Sequence, residues 1–201
     1  MTRIAGLIAV LLLSAAGCAG SADPTRFYVL APADPAGNAG ARPASERDLR
    51  IGIRSVELPR YLERPQIVTR ASATRLEVAD FHQWGAPLRQ AVPMILAENL
   101  SRLVPTEQVM VFPWGRAFAP DAQVIVEISR LEGAVGGESV LAARWRILSR
   151  SGEEVTMGTA RLTEPSGPDY ESLVAAQSRL VGALSRDIAA ALRSGVQAST
   201  R

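Results

Sequence analysis

Few residues in this sequence could do acid–base or metal chemistry. His82 is the one histidine and Cys18 the one cysteine among 201 residues. Zinc sites are built from several His, Cys or carboxylate ligands, so the usual sets cannot be assembled, and we expect no metal. A Ser-His-Asp triad would depend wholly on His82, and the nucleophile-elbow, phosphate-loop and dinucleotide-binding motifs do not occur. We therefore predict a protein that is not an enzyme and holds no cofactor.

Two carboxylate-bearing segments leave a catalytic alternative open. Asp80 lies two residues before His82, a spacing that could support general acid–base chemistry in an envelope esterase. Glu153 and Glu154 adjoin a predicted hairpin turn, where a solvated charge pair is the simpler interpretation. We interpret His82 as a surface or helix-capping residue, whose loss would cost under about 1 kcal/mol if it is exposed.

Cys18 follows a segment typical of a secretory signal. An arginine precedes the apolar run 4–13, and small residues fill positions 14–17. The run is too short for a membrane-spanning helix, which needs about 20 apolar residues. Residues 13–18 resemble the lipobox of bacterial lipoproteins. That resemblance implies cleavage of the signal peptide 1–17 and a covalent lipid on Cys18, which then serves as a membrane anchor.

The charge balance gives no indication of nucleic-acid binding. The formal net charge of the whole chain is +2. Removal of residues 1–17, which contain one arginine and no acidic residue, lowers it to +1. A nearly neutral chain lacks the excess of basic residues that attracts a nucleic-acid phosphate backbone.

The remaining chain is predicted to form one folded unit. Residues 18–25 form a lipidated tether, 26–195 a single domain, and 196–201 a disordered tail. With 47% hydrophobic residues in the whole chain, a domain of this length can bury a sizeable core. The segment 31–48, rich in Ala, Pro, Gly and Asp, is predicted to be a flexible loop.

Periodicity in the sequence predicts eight strands and two helices. Apolar residues at spacings of three and four predict helices over residues 87–104 and 169–194, with Gly195 ending the second. Pro105 ends the first. The predicted strands cover residues 26–30, 49–56, 66–70, 74–79, 109–112, 122–133, 140–150 and 154–162.

This element order predicts an α+β sandwich. The last three strands form an antiparallel meander, because Leu141, Ala143, Trp145 and Ile147 alternate with arginines in the manner of a half-buried strand. We expect a mixed, largely antiparallel sheet with the two long amphipathic helices packed mainly on one face.

Four segments behind the lipobox together resemble the PqiC/YmbA-type family of ABC-type transport auxiliary lipoproteins. The segments are residues 27–30, 56–65 with 67–70, 82–88 and 141–145. The resemblance covers nearly the whole mature chain. It implies a periplasm-facing lipoprotein that works in membrane-integrity systems with an MCE-domain protein and its ABC permease and ATPase. It carries over no catalytic residue.

The segment 59–65 is a candidate docking loop, stiffened by a proline at each end. Tyr61 and Leu62 could form an apolar anchor between Arg60 and Arg64 at the rim. The alternative is that Tyr61 and Leu62 close the core. Trp84, before the first long helix, is either an aromatic lid that contacts a partner or a packing residue.

The leading interpretation is a non-enzymatic lipoprotein that docks a periplasm-spanning partner at the membrane during envelope lipid transport. The residue after Cys18 is Ala19 rather than aspartate, which implies outer-membrane delivery under the enterobacterial sorting rule. A structural or assembly-assisting outer-membrane lipoprotein shares every local feature. The oligomeric state is open, and a homo-oligomer remains among the alternatives.

Overall fold

The computed structural model describes residues 23–33, 49–104 and 106–199. Its strands are β1 (Arg26–Tyr28), β2 (Ile51–Glu57), β3 (Gln66–Arg70), β4 (Leu76–Trp84), β5 (Val109–Val111), β6 (Ala122–Gly133), β7 (Glu138–Ser149) and β8 (Glu154–Pro165). Its helices are α1 (Leu88–Leu103) and α2 (Tyr170–Ser199), and a short 3-10 helix covers Arg60–Leu62. The predicted order of strands and helices is confirmed.

The described strands form one open mixed sheet built around β6. On one side β6 pairs antiparallel with β7 along its whole length, and β7 pairs antiparallel with β8. On the other side β2 pairs parallel with the first half of β6, and β3 meets its end at Gly133. β4 and β1 extend the sheet from β3, while β5 extends it from β2. The α+β prediction is confirmed.

The β6–β8 meander follows the alternation in the sequence. Leu141, Trp145 and Ile147 are buried, whereas Arg144 and Arg146 are exposed on the opposite face. Its two tight turns use glycines at positive φ, with Gly136 at 73° and Gly152 at 90°. Side chains larger than glycine are strained in that conformation, so both turns depend on these residues.

The two long helices bury their apolar stripes against the sheet. In α2 the stripe is fully covered, with exposed fractions of 0 to 2% at Leu173, Leu180, Val181, Leu184, Ile188 and Leu192. In α1 the equivalent residues are Leu88, Val92, Leu96 and Leu100. Each such side chain contributes roughly 1.5–3 kcal/mol by leaving water. The stripes therefore hold both helices to the sheet.

Two predicted boundaries are wrong. α2 continues through Gly195 to Ser199, beyond the predicted end of the helix at Gly195. One glycine costs a helix only about 1 kcal/mol relative to alanine, which does not end it by itself. β4 also runs on to Trp84, beyond the predicted end at residue 79, because pairing with β1 orders residues that lack an alternating pattern.

Candidate functional site

The 59–65 segment, called here the 59–65 turn, joins two strands that lie end to end beside β6. Pro59 sets φ at −59°, and its carbonyl accepts the N–H of Leu62 at 2.9 Å. This bond starts the single 3-10 turn. Leu62 is 3% exposed and belongs to the core. Leu62 therefore does not offer an exposed anchor, because the turn folds back onto the sheet.

Tyr61 is likewise drawn inward, towards a buried carboxylate on β6. Its hydroxyl donates to Glu132 Oε2 at 2.8 Å, and its ring packs partly buried against the core. The side chain of Glu132 is 0% exposed. The alternative interpretation, in which Tyr61 and Leu62 close the core, is the one that the structure favours.

Glu132 is satisfied by four donors. Oε1 accepts from Arg70 Nε at 2.7 Å and from Arg130 Nε at 2.9 Å. Oε2 accepts from Tyr61 and from the backbone N–H of Leu131 at 3.1 Å. A buried carboxylate is tolerated only when it is paired and hydrogen-bonded in this way. These side chains, Tyr61, Arg70, Arg130 and Glu132, are called the Glu132 cluster.

The cluster keeps its ionisation fixed at neutral pH. Burial by itself raises the pKa of Glu132, but hydrogen bonds from Arg70, Tyr61 and Arg130 outweigh it and hold that pKa below its ordinary value. Burial, together with the hydrogen bond to Glu132, raises the pKa of Tyr61 to about 12. The carboxylate is thus charged and the phenol neutral, so the cluster acts as a clamp for the turn.

The outer side of the 59–65 turn is charged. Arg60, Glu63 and Arg64 are exposed. Arg60 and Glu63 also line a groove of about 560 Å³ that Arg89 and Gln90, in the first turn of α1, complete. The turn therefore presents a polar rim on a rigid base, and Arg60 and Arg64 remain candidate docking residues.

Trp84 is hydrogen-bonded through its backbone to the last residue of this turn. It is the last residue of β4, 6% exposed, and its N–H donates to the carbonyl of Pro65 at 2.7 Å. Of the two interpretations, the structure favours the packing residue, since the strand places the indole in the core.

A second constellation lies beside β1, where three aromatic side chains meet. The Tyr28 hydroxyl and His82 Nδ1 are 2.7 Å apart, and the His82 ring stacks on Tyr170 with centroids 3.8 Å apart. These residues meet because β1 pairs with β4 in a register that sets Arg26 beside His82, and because α2 begins at Tyr170. His82 is therefore a partly exposed strand residue in an aromatic cluster, and the predicted helix-capping position is wrong because β4 runs through it.

The aromatic cluster favours a neutral imidazole. Partial burial, aided by the nearby charge of Arg26, lowers the pKa of His82. Its Nδ1 is already engaged by Tyr28. The three rings line a groove of about 700 Å³ together with Phe27, Val29, Val135 and the start of α2. The geometry offers an apolar binding surface and one polar anchor.

Neither cluster could be assembled from sequence spacing. Tyr28 and His82 are separated by 54 residues, and Arg70 and Glu132 by 62. The one local signal was Glu132 itself, a carboxylate in an otherwise buried stretch of β6. In the part of the chain that the structure describes, no three His, Cys, Asp or Glu side chains are placed to hold a metal.

The predicted lipidation site lies outside the described residues, as do the signal peptide 1–17 and Ala19. Among the described helices, none has both the length and the apolar character needed to cross a bilayer.

Comparison with known proteins identifies one matching protein family and several similar folds. The model of the family described as ABC-type transport auxiliary lipoprotein component matches residues 28–189. A Xanthomonas campestris protein of family DUF330 superposes with a TM-score of 0.71 at 15% identity, covering 88% of this chain and 100% of that one. An uncharacterised protein superposes with a TM-score of 0.65 at 21% identity, covering 85% and 99%. At such identities both show a shared fold. No curated protein matches the chain.

Proposed function

The chain belongs to the family of ABC-type transport auxiliary lipoprotein components, and from this premise we propose that it is a non-enzymatic, lipid-anchored docking module of an envelope lipid-transport system. Membership supports a role in an envelope transport system. The proposal adds three finer points: a lipid on Cys18, a position in the outer membrane, and an MCE-domain partner served by an ABC permease and ATPase.

The 59–65 turn is the observation that carries the docking role. Arg60 and Arg64 stand exposed on a segment whose base is held by the buried Glu132 cluster and by Trp84. A surface loop that is already ordered loses little entropy when a partner binds. Exposed arginines on such a loop favour a partner surface that carries carboxylates.

Charge reversal tests this docking surface. Arg60→Glu combined with Arg64→Glu should lower co-purification of the MCE-domain protein at least several-fold, because like charges then face each other across the contact. The matched control is Arg144→Glu with Arg146→Glu on the open sheet face, where both arginines are exposed. It makes the same change in net charge. If both double variants recover as much MCE-domain protein as the wild type does, the 59–65 turn is not part of the contact.

The anchor is tested separately. Cys18→Ser should abolish metabolic labelling with palmitate and leave the precursor uncleaved, because the thiol is the acceptor of the diacylglyceryl group. Undiminished labelling would refute lipidation at this residue.

The proposed outer-membrane location is tested by comparing the wild type with a variant at residue 19. The wild type, with Ala19, should fractionate with the outer membrane, whereas Ala19→Asp should be retained in the inner membrane. Recovery of the wild type in the inner membrane would correct the proposed location without affecting the docking proposal.

A further inference from the structure

Two large hydrophobic side chains at β1 are highly exposed. Val29 is 69% exposed and Phe27 is 67% exposed, the two highest values among the large hydrophobic side chains described. Phe27 lies in β1 and Val29 directly follows the strand, and both line one groove. Val135, 38% exposed, lines the same groove. Phe27, Val29 and Val135, with exposed Arg26, are called the β1 surface.

Packing does not account for this exposure. The fold buries its other long apolar stripes almost completely, and Tyr28 is turned inward to His82. Single exposed hydrophobic residues are ordinary on a protein surface, but adjacent ones that line one groove of about 700 Å³ form a patch. Such a patch is typical of a surface that meets an apolar partner or a membrane.

The length of the tether selects the membrane as the occupant. Phe27 follows Cys18 by nine residues. At no more than about 3.6 Å per residue, its Cα lies within about 32 Å of the anchored residue even when the tether is fully extended. β1 is thus the first element of the fold that follows the anchor along the chain.

The composition of the β1 surface also fits a lipid interface. A phenylalanine and two valines supply apolar contact for the region just below the headgroups. Arg26 can place its aliphatic stem along that region while its guanidinium reaches phosphate oxygens. The two acidic residues that also line the groove, Asp169 and Glu171, lie at the start of α2 and outside the β1 surface.

We propose that the β1 surface lies against the membrane that carries the lipid anchor, with Phe27 and Val29 in its interfacial layer and Arg26 at the phosphates. This inference rests on the lipidated Cys18 of the proposed function. It orients the domain with its β1 edge towards the membrane.

Site-directed spin labelling of the full lipidated protein tests the orientation. Acylation converts the Cys18 sulphur to a thioether, so a cysteine introduced elsewhere is the one free thiol of the chain. Nitroxide labels at Phe27→Cys and Val29→Cys are compared with labels at Phe112→Cys and Met157→Cys, which replace residues 58% and 65% exposed. The protein is reconstituted in vesicles of phosphatidylethanolamine and phosphatidylglycerol.

The measured quantity is the ratio of collision rates with oxygen and with a water-soluble nickel complex. Oxygen concentrates in lipid and the nickel complex in water, so the ratio should be several-fold higher at positions 27 and 29 than at 112 and 157. Equal ratios at all four positions would overturn the proposal. Protection of positions 27 and 29 from both reagents would also overturn it, since a protein strand or a second copy would then cover the surface.

Mass spectrometry of the same samples separates this inference from the anchor. A protein without acyl chains would overturn both the anchor and the membrane contact that depends on it. An acylated protein with equal ratios would overturn the contact alone. A companion variant, Phe27→Ser with Val29→Ser, should keep the melting temperature of the wild type because both side chains are exposed. A large drop in that temperature would assign these residues to the fold and contradict the proposal.

Discussion

Replacing Glu132 by glutamine should destabilise the fold without changing its shape. The carboxylate accepts hydrogen bonds from Tyr61, Arg70, Arg130 and a backbone N–H. An amide replaces one acceptor oxygen with a donor that faces other donors, and it leaves the arginines without a counter-charge. Removing one member of a buried ion pair costs about 3–5 kcal/mol.

The structure places the expected cost at the lower end of that range. The side chains of Arg70 and Arg130 are 24% and 40% exposed, so water can hydrate both guanidinium groups once the charge is gone. A loss of about 3 kcal/mol corresponds to a fall of about 6–12 °C in Tm for a domain of this size. Tyr61→Phe removes a single hydrogen bond to a charged acceptor and should cost less, about 1.5 kcal/mol.

Glu127→Gln is the matched control, because it makes the same chemical change on the same strand. Glu127 is 42% exposed and faces Arg144, itself 77% exposed, at 3.4 Å. An exposed pair of this kind contributes little, and the variant should stay within about 0.5 kcal/mol of the wild type. The assay is thermal unfolding followed by circular dichroism. A Glu132→Gln protein whose Tm lies within about 2 °C of the wild-type value, roughly the change allowed for Glu127→Gln, would refute the clamp.

Acid titration gives a second signature of the clamp. The folded-state pKa of Glu132 lies below its ordinary value, so its contribution is complete above the unfolded-state pKa and is lost as pH falls through the folded-state pKa. The difference in stability between wild type and Glu132→Gln should therefore shrink in acid. A difference that stays constant down to low pH would contradict this ionisation state.

Two further changes test packing and the aromatic cluster. Gly158→Ala should cost about 1–3 kcal/mol, since its Cβ would lie 2.3 Å from Trp145 Cζ2; Gly115→Ala, which meets nothing within 4 Å, should leave thermal unfolding unchanged, and equal Tm values for both would contradict the packing. His82→Ala should cost about 1–2 kcal/mol through its lost hydrogen bond and its stacking on Tyr170, while co-purification of the partner persists. Because the pKa of His82 is lowered in the fold, the cost of His82→Ala should be largest above pH 6.5 and decline as pH falls below it. Complete loss of envelope function in a His82→Ala protein that still folds would revive the enzyme alternative.

Much of the fold could be predicted from local periodicity. Alternation around Trp145 located β7 and its hairpin partners, and the apolar stripe from Leu173 to Leu192 located α2. Both signals are repeated many times within one element, so they survive an error at any single residue. The end of β4 could not be found in this way, because it is ordered by parallel pairing with β1, a contact distant in sequence.

The candidate sites were less accessible to prediction. The sequence indicated the 59–65 turn, but whether Tyr61 faced solvent or the core depended on Glu132, 71 residues away. The groove beside β1 required three distant elements to be placed together. Spacing along the chain carries no information about such pairs, since they are decided by the topology of the sheet around β6.

The central claim, a docking lipoprotein for an MCE-domain protein, is tested most directly by photo-crosslinking in the native envelope. A photoreactive residue replaces Arg64 on the 59–65 turn or, as a control, Arg144 on the open sheet face, and adducts are identified by mass spectrometry. Our account predicts an adduct with the MCE-domain protein from position 64 and little or none from position 144. Adducts at both positions that contain only other envelope proteins, formed by a lipidated and correctly folded chain, would contradict it.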